Sequence, residues 1–206
     1  MPPDLLFDGP VDAPVTIALA HGAGAPMDSP FMAAFAQGLA ARGIRVARFE
    51  FPYMAGRRAG GTKRPPDRGP VLVDTWMSVI NHLGPERLVI GGKSMGGRIA
   101  SMVADGAGVK GLVCLGYPFH GPGRALKEDR IVHLRALKTP ALILQGTRDT
   151  MGTADEVPDY PLSPAIRVHW LEDGDHGLKP RKKSGRSEAQ NWDEAIGELA
   201  AFALGL

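Results

Sequence analysis

The stretch RLVIGGKSMGGRIA, residues 87–100, holds two overlapping chemistries. Its GGKS resembles the end of a phosphate-cradling loop, which needs an earlier glycine at the spacing G-x-x-x-x-G-K-[ST] and enough chain between the glycines to wrap the phosphates. That earlier position is Arg87, at the start of the apolar run Leu88–Ile90, which leads straight into GGKS and leaves no chain for a cradle. The second chemistry is nucleophilic. Gly92-Lys93-Ser94-Met95-Gly96 is G-x-S-x-G between a strand-like run and a helix-like one. Such a turn is sharp and strained, its flanking small residues let strand and helix pack closely, and the serine hydroxyl stands clear at the helix N-terminus. The spacing favours a nucleophile and disfavours a nucleotide.

A serine hydroxyl is a poor nucleophile without a base, and the base needs an orienting acid. Where G-x-S-x-G forms a strand-to-helix elbow over a parallel sheet, the order along the chain is serine, acid, histidine. Asp149 in LILQGTRDT follows an apolar strand, and His176 in LEDGDHGLKP follows the last strand among glycines and acids. Ser94, Asp149 and His176 are therefore the candidate catalytic residues. Asp155, Asp173 and Asp175 are alternatives for the acid, although only Asp149 stands at the tip of its strand. His169 lies inside a strand pattern, His82 ends a helix pattern, His133 lies in a polar connection, and His120 precedes the acid. Met95, directly after the serine, is one candidate oxyanion donor. In AHGAGAP Ala23 is the other, with Gly24 second. Tyr53, Met54, Tyr117, Phe119 and Met151 follow strand ends and are candidates to line a substrate pocket. Arg57, Arg58, Lys63 and Arg64, in the basic stretch 55–69, suggest a preference for anionic esters. A second basic connection covers 179–190. No metal site is expected, because EDGDHG lacks calcium-loop spacing and no two histidines stand at helical ligand spacing.

These residues require a scaffold that brings strand ends together. Apolar runs alternate with helical patterns almost throughout: PVTIALAHGAG, IRVARFEF, RLVIGG, VKGLVCLGYP, TPALILQG and AIRVHWLE read as strands. Trp76, Val79, Ile80 and Leu83 share one helical face, Ser29-Pro30 suits a helix start, and Asn191 with Glu194 suits the start of the last helix. Continuous runs such as ALIL and GLVCL suit a sheet buried on both faces. The expectation is a single α/β domain over residues 1–206, with a mostly parallel central sheet and helices on both faces. About twenty residues separate the strands near Gly116 and Thr139, too few for a large cap. The chain is 44% hydrophobic and 22% charged with a net charge of +2, which gives no reason to expect nucleic acid or an anionic membrane as partner. Cys114 is the single cysteine, set in an apolar strand, so no disulfide framework is expected. Acids and prolines open the chain where a signal peptide needs basic and apolar residues, and no run has the length of a membrane span. A soluble, cytoplasmic protein is expected; oligomeric state has no signature.

HGAG, GKSMGG, GTRD and GDHG, in this order at strand ends, resemble the α/β-hydrolase superfamily over nearly the whole chain. The chain is most similar to the small, capless predicted hydrolases related to testis-expressed protein thirty. It is also similar to dienelactone hydrolases, which carry cysteine where this chain has Ser94. The resemblance implies a serine hydrolase acting on a small ester or thioester through a covalent acyl-serine, with no cofactor. Two alternatives stay open: a non-catalytic interaction module on the same scaffold, and an acyltransferase using the same acyl-enzyme.

Overall fold

A computed structural model describes residues 2–206. Its strands are β1 (Leu5–Asp8), β2 (Thr16–Ala20), β3 (Arg45–Phe49), β4 (Leu88–Lys93), β5 (Gly111–Leu115), β6 (Ala141–Gly146) and β7 (Ile166–Leu171). The helices are α1 (Pro30–Ala40), α2 (Pro52–Arg58), α3 (Gly69–Leu83), α4 (Met95–Ala107), α5 (Glu128–Ile131) and α6 (Glu188–Leu204). The seven strands form one sheet in the order β1-β3-β2-β4-β5-β6-β7. Only β1 runs antiparallel to its neighbour, so the sheet is mostly parallel as expected. The edge strand β1 is only four residues long, and its apolar Leu5, Leu6 and Phe7 are half-exposed or exposed, too short a run without alternation to announce a strand.

Alternation along each strand divides the core in two. Ile17 and Leu19 of β2 face Phe35 and Leu39 of α1 and Leu199 of α6, while Ala18 and Ala20 face Trp76 of α3 and Ile99 of α4. Burial on both faces is what an all-apolar strand requires, and about 25 cal/mol per Å² of apolar surface removed from water drives it. The parallel strands finish at a common edge, with Ala20 opposite Gly92 and Gly92 opposite Cys114. Between β5 and β6 stand only α5 and one 3-10 stretch, Val132–Ala136, so no cap covers that edge.

Two local expectations are corrected. The basic stretch 55–69 is not all loop, because α2 continues to Arg58 and α3 begins at Gly69. The last helix starts before Asn191: Ser187 accepts from the Gln190 N–H while Gln190 returns a bond to the Ser187 N–H, a complete capping box. Cys114 is a buried residue of β5, as its apolar neighbours led one to expect, and burial pushes its thiol up. Among the described residues no helix is long and apolar enough to cross a membrane.

Candidate active site

Ser94 is the hinge between β4 and α4, held at φ 50° and ψ −113°. A non-glycine residue there is strained, and the surroundings hold it in place by close approach. A Cβ on Gly92 would come within 2.1 Å of the Ala20 carbonyl, and one on Gly96 within 2.5 Å of the same oxygen. Glycine at both positions is therefore a packing requirement of the turn.

Asp149 stands in the turn after β6 and is fully buried. Its Oδ1 accepts the Met151 N–H at 2.9 Å, and its Oδ2 accepts the Gln145 amide at 2.9 Å and His176 Nδ1 at 2.7 Å. His176 comes from the loop after β7, and its Nε2 lies 2.9 Å from Ser94 Oγ. With Nδ1 donating to the carboxylate, Nε2 is left to accept the serine proton. The structure thus links the three side chains by hydrogen bonds across three strand ends.

The loop bearing His176 is built by residues that the sequence offered as rival acids. Asp175 Oδ1 accepts the N–H groups of Gly177 at 2.7 Å and Lys179 at 3.0 Å. Asp173, at φ 52°, accepts from the Arg181 N–H at 2.7 Å and the Arg181 Nε at 2.8 Å. The Arg181 guanidinium holds its carboxyl well below the usual carboxylate range. Asp155 is exposed and does not line the site cavity. His133 Nε2 is engaged with Ser101 at 2.8 Å and His169 Nε2 with Glu194 at 3.0 Å, while His82 is exposed near the end of α3, away from the site cavity. His120 is buried, with Nδ1 on the Gly121 carbonyl at 2.9 Å, and does not line the site.

On the other side of Ser94 lies the loop Gly22–Ala25. Ala23 lines the site cavity, and Met95 begins α4, where a helix has N–H groups without intrahelical partners. Neither N–H bonds to another backbone group among the described residues. His21 orders this loop from below: its Nδ1 lies 2.6 Å from the Gly22 carbonyl, and its Nε2 accepts the Phe51 N–H at 3.2 Å. Burial lowers the His21 pKa, which suits a neutral imidazole in that position.

A cavity of about 550 Å³ opens beside Ser94. Phe31, Met32, Met151 and Trp192 give it an apolar wall, with Lys93 and Glu188 as its charged residues. Of the expected pocket residues only Met151 lines it. Tyr117 and Phe119 are fully buried and pack on the α3/α4 side of the sheet, because the chain leaving β5 turns to that face while the cavity lies on the α1/α6 side. Met54 is buried in the same cluster. Tyr53 braces the site from outside it, since its hydroxyl, pushed up to about 12 by burial, donates to the Ala23 carbonyl at 3.0 Å. None of Arg57, Arg58, Lys63 and Arg64 reaches the cavity. Arg58 is held by Asp28 and Glu50, both at 2.8 Å.

Two residues missed by the sequence reading complete the site. Gln145, buried at the end of β6, donates to Asp149 and accepts the Tyr117 N–H at 2.7 Å; a lone amide in an apolar strand is its sequence signal. Lys93 sends its ammonium to the main-chain carbonyl of His176 and lies 5.5 Å from the Phe31 ring centroid. Burial pulls its pKa down to about 8, against the opposing pull of Asp149 and Asp175.

A family model described as an alpha/beta hydrolase domain matches residues 13–204. The chain belongs to this family. Solved structures of the same fold include XC6422 from Xanthomonas campestris, a serine hydrolase without a lid, which is 21% identical with a TM-score of 0.70 over 96% of this chain and 87% of that one. The esterase domain of a Rhodothermus marinus protein is 16% identical with a TM-score of 0.68, covering 96% and 90%. A monoacylglycerol lipase from Paleococcus ferrophilus is 14% identical with a TM-score of 0.72, covering 98% and 100%. At these identities the likeness extends to the fold alone.

Proposed function

We propose that this α/β hydrolase cleaves a small carboxylic ester or thioester through a covalent acyl-serine intermediate. The observation that carries the reading is the unbroken hydrogen-bonded chain from buried Asp149 through His176 to Ser94, ending at an apolar cavity. His176 Nε2 takes the proton as Ser94 Oγ attacks the carbonyl carbon, and Asp149 stabilises the imidazolium so formed. The N–H groups of Met95 and Ala23 are the donors for the oxyanion, each worth on the order of 10²–10³ in rate. Collapse of the tetrahedral adduct breaks the bond to the alcohol or thiol, which leaves with the proton from His176. Water then attacks the acyl-serine with His176 as base, releasing the acid and restoring Ser94.

Phe31, Met32, Met151 and Trp192 support an apolar acyl or aryl group in the cavity. The lipase and esterase among the structural relatives are consistent with that choice. Labelling with a fluorophosphonate, followed by intact mass, tests the reading. One adduct on the wild type and none on Ser94→Ala is the expected result. A folded wild type that takes no adduct overturns it and favours a non-catalytic interaction module.

A further inference from the structure

Lys93 has no part in the steps above, yet it stands directly before the nucleophile as the last residue of β4. Its side chain passes over the C-terminal end of β5 and donates to the carbonyl of His176, the residue carrying the base. The crossing needs Gly116: a Cβ there would lie 2.8 Å from Lys93 Nζ and 2.9 Å from the His176 oxygen. No carboxylate is within ion-pairing distance of this ammonium among the described residues. The nearby acids are engaged, Asp149 by His176, Gln145 and Met151, and Asp175 by the N–H groups of Gly177 and Lys179. A side chain needed only for volume would not be an ammonium without an ion-pair partner, since burying such a charge is costly.

We infer that Lys93 is a positioning residue, a strap tying the nucleophile's own strand to the main chain of the general base and so fixing the Ser94–His176 separation. This rests on the serine-hydrolase reading. The strap acts through geometry: displacement of a reacting group by about 1 Å lowers rate by about 10²-fold. It also has a charge state. The groups facing Lys93 are Asp149 from the β6 turn, Asp175 and His176 from the β7 loop and Glu188 across the cavity, while α1 contributes only the Phe31 ring. Loss of the ammonium proton, near pH 8, turns a charge-assisted bond into a weaker neutral one.

The test measures fluorophosphonate labelling rate, and turnover of 4-nitrophenyl butyrate, from about pH 7 to about pH 10 in wild type, Lys93→Met and Lys93→Arg. Wild type is expected to lose reactivity along an alkaline limb near pH 8. In Lys93→Met, labelling and kcat should fall about 10²-fold with KM little changed, and the alkaline limb should vanish. Lys93→Arg, which keeps a cationic donor, should restore part of the rate. A Lys93→Met protein with wild-type rate and pH profile would reduce Lys93 to packing. A defect confined to the KM of a hemisuccinate ester would make it a substrate anchor instead. Should Lys93→Met not fold, Lys93→Gln, whose side chain ends short of the ammonium position, decides instead, because wild-type labelling rate and kcat in that variant overturn the strap. Wild type that takes no label at all sinks the hydrolase reading itself, which is a separate outcome.

Discussion

Asp149 has each of its carboxylate oxygens occupied by a fixed donor. Met151 N–H holds Oδ1, and the Gln145 amide and His176 Nδ1 hold Oδ2. A carboxylate so fixed does more than supply charge: it dictates which imidazole nitrogen carries the proton. Asp149→Asn keeps the shape but offers an amide donor to Nδ1, which reverses the tautomer and leaves Nε2 protonated towards Ser94. kcat is expected to fall by about 10³–10⁴ with KM little altered, measured on one ester in steady state. A loss under tenfold would remove Asp149 from the mechanism. At this scale the sequence was legible where a residue follows a buried strand, as Ser94, Asp149 and His176 do. Gln145 left only the faint signal of a lone amide in an apolar strand, and Lys93 left none, because its partner is the main-chain carbonyl of His176, contributed by a turn distant in sequence.

At the scale of elements, the base is only as well placed as its loop, and α6 holds that loop. Asn191 is fully buried on the helix, donating to the carbonyls of Glu172 at 3.0 Å and Leu178 at 2.9 Å and accepting from Arg186 Nε at 2.7 Å. Trp192 adds a bond from its Nε1 to the Gly177 carbonyl at 3.1 Å. An asparagine ahead of an apolar helical run reads as a cap, and Ser187, with Gln190 three residues on, offers the same signal slightly earlier. Choosing between them requires knowing that Asn191 faces two orphaned carbonyls, which is tertiary information. Asn191→Leu keeps the branched heavy-atom skeleton but removes the amide and strands those carbonyls, so stability should fall by about 1–3 kcal/mol in urea unfolding. The labelling rate at Ser94 should fall with it, since His176 lies within the same loop. An unchanged denaturation midpoint would show that the loop is held without Asn191.

For the whole molecule, the alternation of strand and helix made the parallel sheet legible, because a strand buried on both faces leaves a continuous apolar run. The cavity was not legible. Tyr117 and Phe119 follow β5 and Met151 follows β6, but the face to which a chain turns on leaving a sheet depends on packing elsewhere. Here the cavity is walled by the starts of α1 and α6, through Phe31, Met32, Glu188 and Trp192. The same architecture makes the fold bear a half-buried ammonium at its active edge, and this has a global consequence in stability. Lys93 titrates near 10.5 when exposed and near 8 when folded. Below about pH 8 both states are charged and the folded one carries the full desolvation cost. Between these two values the unfolded chain holds the extra proton, so folding stability contributed by Lys93 rises with pH across the window. The displacement corresponds to about 3 kcal/mol. Lys93→Met has no such dependence. Its unfolding free energy minus that of the wild type should therefore become less favourable by about 3 kcal/mol from pH 7.5 to pH 10.5, while tyrosines and other lysines common to both proteins cancel. Chemical denaturation of the pair at a series of pH values measures this difference. A constant difference would mean that the Lys93 ammonium is solvated in the folded protein, and a rising one would mean that an acid pairs with it.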